Sequence, residues 1–487
     1  MKKIPKCMST QHPDNVNTPF FCENGELKGE DEVKEAYYVY SHLGCGEQMW
    51  DCEGKEIDNY VIKKLLTSYP YLFKKKTLGE ELFLTLRVPN PQLEKAEGKI
   101  LLETLESIPR SFDIAKIFYK EDKPPIYEVI LPMTSSVEEI NSIYYYYRDF
   151  VIGKENSTFV FDGKKNIKDW VGEFKPKTVN VIPLFEDKDS MLECDNILEE
   201  YLKDKKITNQ RVFLARSDPA MNYGFIGAVL LNKIALWKID RLAKKIGVDL
   251  FPIIGVGSAP FRGGLTPYSV KRVTEEFPSV HTFTIQSAFK YDYPLKDVKD
   301  GIDFINAFKT GKAIEIDEQK SMDIIEKCAV SYGRDVIDLA TTINSFSKFI
   351  PRRRKRKLHI GLFGYSRKKG ELKLPRAITF CASLYSLGVP PEVLGISVLS
   401  LEDLNFINQF YPSFKEDLRD AVKFLNPQSP YLPKGVLEKL SIILENYDVD
   451  EEHKLITDQI ITDFSKDNTE GLQELILQAA KIRSFLG

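Results

Sequence analysis

The chain has 487 residues and a mass of 55.9 kDa, with 68 Lys+Arg against 71 Asp+Glu and a formal net charge of −3. That balance argues against a general affinity for nucleic acid or anionic lipid, and 43% hydrophobic with 29% charged residues argues against long disorder. No apolar run approaches the ~20 residues that cross a bilayer, and Met1-Lys-Lys-Ile-Pro-Lys-Cys7 lacks the apolar core of a secretory signal, so a soluble, cytoplasmic protein is expected. Seven cysteines, odd in number and without a C-x-x-C pair, predict reduced thiols packed as small hydrophobes. Five histidines without a close pair argue against a zinc site.

In chain order, weak strand candidates lie around residues 6–10 and 37–41. Stronger ones follow at 82–88 (LFLTLRV), 126–133 (IYEVILPM), 179–186 (VNVIPLFE), 211–218 (RVFLARSD), 249–258 (DLFPIIGVGS) and 281–288 (HTFTIQSA). These runs are almost continuously apolar, as expected of strands covered on both faces. Helical patterns separate them. Ser136-Val-Glu-Glu139 forms a capping box ahead of Ile140 and Ile143, and residues 225–246 carry apolar side chains at helical spacing. Roughly eight strand candidates alternating with helices predict an α/β fold of the (β/α)8 TIM-barrel type. An open doubly wound sheet is the alternative, weakened because no G-x-G-x-x-G opens a helix after a strand.

From about residue 300 the pattern is mainly helical, interrupted by an apolar run at 358–365 (LHIGLFGY) that could itself close the barrel in place of a weak N-terminal strand. Residues 1–300 are therefore expected to form the main part of the barrel, and 301–487 a helical extension packed on it. The basic run Arg352-Arg-Arg-Lys-Arg-Lys357 abuts that apolar segment and is expected to be solvated or to face an interface. Four consecutive tyrosines, 144–147, fall in a predicted helix and cover its whole circumference, which suggests a subunit interface.

In a barrel of this type, residues at the C-terminal ends of the strands converge on one face. Arg87 closes one strand, Glu186 another and Asp218 a third. Arg262 follows the loop Gly255-Val-Gly-Ser-Ala-Pro-Phe-Arg-Gly-Gly264, and Gln286 and Lys290, candidate substrate contacts, end the next strand. Arg367 follows Gly364-Tyr-Ser. Glu186 and Asp218 suit a hard divalent cation, which takes one or two carboxylates and keeps water or substrate oxygens; each could equally cap a helix. Several arginines near such a cation suit a substrate bearing phosphate and carboxylate. His12, in Ser9-Thr-Gln-His-Pro-Asp-Asn15, is either an ordinary loop histidine or a proton acceptor.

Thr10-Gln-His-Pro-Asp14, Pro183-Leu-Phe-Glu186, Arg216-Ser-Asp218, Phe261-Arg-Gly-Gly264 and Phe363-Gly-Tyr-Ser-Arg367, in that order, resemble archaeal-type phosphoenolpyruvate carboxylase. The resemblance runs from Cys7 to the terminal Phe-Leu-Gly. It implies that His12 is the catalytic base, that Glu186 and Asp218 hold Mg²⁺ (or Mn²⁺), and that Arg262 handles bicarbonate and the transferred phosphate. Arg367 and Arg376 would grip the phosphate, and Arg87 would be a further active-site arginine. The segment 358–376 would thus contribute to the active site. The implied reaction joins phosphoenolpyruvate and bicarbonate into oxaloacetate and phosphate, in a homotetramer. The larger carboxylases carry an arginine and a histidine where this loop has Val256 and Ile254, whose side chains are candidates for holding CO₂. Rival readings are another metal-dependent lyase or phosphotransferase acting on phosphoenolpyruvate or pyruvate, and RNA binding through residues 352–357.

Overall fold

A computed structural model of the chain describes all residues except 1–3, 24, 53–59, 96–97, 159–162, 356–367 and 370–371. Eight strands form a closed barrel: Cys7–Ser9 (β1), Glu47–Asp51 (β2), Phe83–Arg87 (β3), Glu128–Leu131 (β4), Asn180–Phe185 (β5), Asn209–Ala215 (β6), Asp249–Gly255 (β7) and Thr282–Ile285 (β8). Every neighbouring pair is parallel, and the barrel closes where Met8 of β1 registers with Thr284 of β8. The (β/α)8 expectation holds, and six of the eight strands fall on the strong apolar runs.

Two details differ from the sequence reading. Residues 37–41 are not a strand: the helix Glu30–Tyr38 runs into a π-helical turn, Val39–Leu43, that ends on Gly44 at φ 75°. Val33, Ala36, Val39, Tyr40 and Leu43 are all buried, and their helical spacing explains the outcome. The second strand is instead Glu47–Asp51, all five residues of which are buried. Its polar residues hid it, and Glu47 and Asp51 are matched by arginines inside the fold. The run 358–365 lies outside the described residues, and the barrel closes without it.

Glu47 occupies the barrel floor. Its carboxylate takes two hydrogen bonds from Arg211 of β6, at 2.7 and 2.8 Å, and one from Thr85 of β3 at 2.5 Å. Arg211 also donates to Glu128 of β4 at 3.1 Å. One guanidinium thus ties strands on opposite sides of the floor, and its two carboxylate partners offset the cost of burying it.

Above the floor sits an inner apolar layer of Met8, Met49, Ile130, Ile182, Leu184, Phe213, Ala215 and Ile253. The outer faces of the strands pack on the helices, in a core that continues into the C-terminal region. The helix Glu318–Phe346 lies along the helix Ser217–Ile246, where Tyr332 packs on Gly224. Gly224, at φ 79°, breaks the latter helix just before the predicted segment 225–246. The capping box at Ser136 and Glu139 is formed. Tyr147 of the tyrosine run is buried with its hydroxyl on the Pro176 carbonyl (2.9 Å), and Tyr144 packs on Tyr201. All seven cysteines are free and buried. Among the described residues, no single helix is long and apolar enough to cross a membrane.

Replacing Arg211 by Leu leaves Glu47 buried and stripped of its counter-charge. This should cost about 3–5 kcal/mol, seen as a lower urea midpoint and partly recovered in the double variant Arg211→Leu with Glu47→Gln. An unchanged midpoint would show that the floor pair holds nothing together.

Candidate active site

One cavity of about 450 Å³ opens at the C-terminal ends of the strands, and His12, Arg87, Glu186, Asp218, Arg262, Gln286 and Arg376 all line it. Each arrives there by a local rule. His12 lies just past β1, and Thr10 Oγ1 holds its Nδ1 at 2.9 Å. Arg87 is the last residue of β3 and is gripped by Asp51, the last residue of β2, through Nε (3.1 Å) and Nη2 (2.8 Å).

Glu186 follows β5 directly, 4% exposed, and accepts from the Met133 amide at 3.0 Å. The capping of the next helix falls to Asp187, whose side chain accepts from the Ser190 amide at 2.9 Å, so Glu186 is not spent as a cap. Asp218 sits in the first turn of the helix Ser217–Ile246, beyond the end of β6. Arg376 is the N-cap residue of the helix Ala377–Ser386. Arg367 lies outside the described residues.

Arg262 is the most constrained of the group. Buried at 2% exposure, it donates to Ser217 Oγ (3.2 Å), Asp14 Oδ2 (3.2 Å), the Gly487 main-chain oxygen (2.8 Å) and Gln286 Oε1. Asp14 is itself anchored by the Ala288 amide at 2.7 Å, and burial pushes its carboxyl above the usual range against the pull of Arg262. The loop carrying Arg262 closes on itself through Gly257 N to Arg262 O (2.8 Å) and Leu265 N to Gly257 O (2.9 Å). Glu392 pins it from behind, accepting from the Phe261 amide and the Tyr385 hydroxyl, and burial lifts that carboxyl to about 7.

A family model described as phosphoenolpyruvate carboxylase matches residues 4–487. The chain belongs to the phosphoenolpyruvate carboxylase family. It is 57% identical over 485 residues to the phosphoenolpyruvate carboxylase of Methanothermobacter thermautotrophicus, covering 100% of both chains. Identity to the enzyme of Methanospirillum hungatei is 55% over 486 residues, and to that of Halobacterium salinarum 45% over 494 residues, again covering 100% of each chain.

Within this member of the carboxylase family, three expectations are corrected. Lys290 does not line the cavity; it is 2% exposed and donates to Ser9 Oγ (3.0 Å), the Thr10 carbonyl (2.9 Å) and Glu35 (2.9 Å). One turn into its helix, its side chain points back behind β1. Val256 and Ile254 are fully buried and also miss the cavity, because alternate residues of β7 point outward into the helix layer. On the barrel side the apolar lining comes from Met49, Leu184, Phe213 and Ala215, and Ile350, Ile378 and Leu486 add to it from the C-terminal region. The basic run is not simply solvated: Arg352, Arg353 and Arg354 line the cavity, and Arg354 is 4% exposed and ion-paired. Residues 356–357 of that run lie outside the described residues.

Sequence reasoning also passed over Asp14, Asp51 and Arg216. The first two support site arginines through contacts distant in sequence; Asp14 lies inside Thr10-Gln-His-Pro-Asp14, whereas no local pattern signals Asp51. Arg216, 1% exposed, lines the cavity beside Ser217, and its place inside Arg216-Ser-Asp218 was the available signal.

Gly263 supports the Arg262 loop sterically: at φ 120°, a Cβ there would sit 2.5 Å from Val256 Cγ1. Gly263→Ala must therefore shift Arg262. Activity should fall about a hundredfold while far-ultraviolet circular dichroism stays unchanged. Retention of full activity would separate the loop conformation from the chemistry.

Proposed function

We propose that the cavity carboxylates phosphoenolpyruvate with bicarbonate, giving oxaloacetate and phosphate and so replenishing four-carbon dicarboxylic acids. The observation that carries this reading is the meeting of His12, Glu186, Asp218 and seven arginines (Arg87, Arg216, Arg262, Arg352, Arg353, Arg354 and Arg376) in one cavity of a phosphoenolpyruvate carboxylase family member.

Glu186 and Asp218 fit a hard divalent cation, Mg²⁺ or Mn²⁺, because two carboxylates leave the other coordination positions to water and substrate oxygens. When bound, the cation would offset the negative charge that grows on the substrate oxygens. Two anions must approach each other, so fixed positive charge has to be in position beforehand. Arg262 and Arg376, with Arg367, take the phosphate, where the planar fork matches its oxygens better than an ammonium would. Arg87, held by Asp51, presents a further guanidinium at the same mouth.

Bicarbonate oxygen attacks phosphorus, the bond from phosphorus to the enol oxygen breaks, and carboxyphosphate and the enolate of pyruvate result. His12 takes the carboxyl proton of carboxyphosphate, which splits into CO₂ and phosphate, and the proton then leaves with phosphate. The enolate methylene carbon attacks CO₂ to form oxaloacetate. Protonation of that carbon would give pyruvate instead. Met49, Leu184, Phe213 and Ala215 form the apolar side of the cavity and keep water from the enolate. The reading includes a cytoplasmic homotetramer, for which exposed Trp170 and Leu401 offer apolar surface.

Malate dehydrogenase with NADH reports oxaloacetate, and lactate dehydrogenase in a parallel reaction reports pyruvate. Bicarbonate- and metal-dependent signal in the first is expected. Signal in neither, from folded protein, would favour a lyase or phosphotransferase that uses neither bicarbonate nor His12. In the same assays His12→Asn should lose oxaloacetate by at least about a hundredfold while bicarbonate-dependent phosphate release continues with pyruvate as product. Undiminished oxaloacetate would remove His12 from the mechanism. Glu186→Ala and Asp218→Ala should each raise the Mg²⁺ concentration for half-maximal activity about tenfold or more, and superimposable activation curves would rule them out as ligands.

A further inference from the structure

Behind the wall that carries His12 lies a buried charge cluster that the reaction does not use directly. Its centre is Glu35, fully buried on the helix Glu30–Tyr38 outside the barrel. Arg354 Nη2 donates to both Glu35 oxygens at 2.9 and 2.8 Å, and Nη1 to Glu32 at 2.9 Å. Lys290 Nζ donates to Glu35 Oε1 at 2.9 Å, and the Tyr291 hydroxyl to the same oxygen at 2.8 Å. Gln11 Nε2 reaches Oε2 at 3.3 Å. Two carboxylates thus meet two cations, and burial, which would raise the Glu35 pKa, is outweighed by Arg354 and Lys290, which hold it below the usual range.

The contacts continue from this cluster to the mouth. Lys290 Nζ also holds Ser9 Oγ and the Thr10 carbonyl, and Thr10 Oγ1 holds the His12 ring. Gln11 Oε1 accepts from the Asp51 amide at 3.0 Å, and Asp51 grips Arg87. Arg354 belongs to a strap, residues 352–355, that lines the cavity at Arg352–Arg354 and pairs with Leu27 through Leu27 N to Arg353 O and Lys355 N to Leu27 O, both 3.0 Å. One carboxylate therefore stands a single side chain away from the His12 loop, the Asp51–Arg87 pair and the arginine strap.

We propose that Glu35, Lys290 and Arg354 form a positioning lock that fixes His12 against the arginine strap, and that its integrity decides whether the enolate is carboxylated or lost as pyruvate. The inference rests on the carboxylase reading above. The hydrogen bonds described for Arg262 do not involve Glu35, whereas Thr10, whose hydroxyl holds the His12 ring, is tied through Lys290 to Glu35. Loosening the lock at Lys290, whose side chain holds Ser9, Thr10 and Glu35 and neither Asp51 nor Arg262, should spare the phosphorus chemistry and impair the later proton transfer.

The test uses full-length Lys290→Met, Lys290→Arg and Tyr291→Phe. Lys290→Met should raise the pyruvate-to-oxaloacetate ratio about tenfold with bicarbonate-dependent phosphate release little changed. Lys290→Arg should recover part of the wild-type ratio. Tyr291→Phe removes one hydroxyl and no charge, so it keeps the test alive if Lys290→Met does not fold; it should move the ratio in the same direction by a smaller factor. A second readout needs no turnover: acylation of His12 by diethyl pyrocarbonate, followed at that residue by peptide mass spectrometry, should change several-fold in Lys290→Met, or in Tyr291→Phe by less. A uniform loss of both products with an unchanged ratio and unchanged His12 acylation would overturn the lock and leave the cluster a stability element. Wild-type protein that forms neither product would sink the carboxylase reading alone, and the acylation rates would still decide whether the cluster holds His12.

Discussion

The hydrogen bonds between β1 and β8 turn a sheet into a ring, and the mouth of the barrel depends on them. β1 contributes only three residues, yet Cys7, Met8 and Ser9 register with Phe283, Thr284 and Ile285, and the Thr10 amide extends the ladder to the Ile285 carbonyl at 2.9 Å. Because all strands run the same way, whatever follows each strand emerges on the same rim. His12 after β1, Arg87 at the end of β3, Glu186 after β5 and Gln286 after β8 are distant in sequence and adjacent in space for that reason. A three-residue strand is little to rest such a ring upon. The burial of β1 under side chains from both neighbours, with Lys290 fastened to Ser9 and Thr10 from behind, supplies what its own ladder lacks.

Gathering guanidinium groups in a concave, partly dry site is costly unless each has a counterweight. The protein supplies these from carboxylates one layer back: Asp14 for Arg262, Asp51 for Arg87, Glu35 and Glu32 for Arg354. Each pairing orients the fork as well as offsetting the charge. The arrangement keeps the mouth cationic toward an incoming anion while keeping the interior close to neutral.

Much of the architecture was legible because strands buried on both faces have to be apolar throughout, and β3 to β8 all announce themselves that way. β2 did not, since Glu47, Gln48 and Asp51 are polar, and the partners of Glu47 and Asp51, namely Arg211, Thr85 and Arg87, lie on other strands. His12, Glu186 and Asp218 were legible because strand ends could be read to within a few residues, Arg262 through the glycine-containing loop that follows β7, and Arg376, at a helix N-cap, only through the family resemblance. Which way a side chain points was less legible. Lys290 lies one helical turn past Gln286 and faces the other way, while Ile254 and Val256 alternate with cavity-facing Gly255. The role of Arg354 was hidden for a different reason: a basic run looks solvated until the acidic face it docks on is known, and that face is a helix more than three hundred residues earlier.

The apolar side of the cavity has a further consequence. Met49, Leu184, Phe213 and Ala215 belong to the same inner layer that fills the barrel above its floor, so the roof of the folding core is also one wall of the cavity. Enlarging the cavity on that side removes atoms from the layer, and each such removal opens a void in the barrel's own packing. Along that wall, cavity depth and barrel cohesion are thus one variable. An evolving sequence is free to vary its rim loops and C-terminal cover, but the depth of the cavity toward the barrel is held by the requirement that the barrel stay shut.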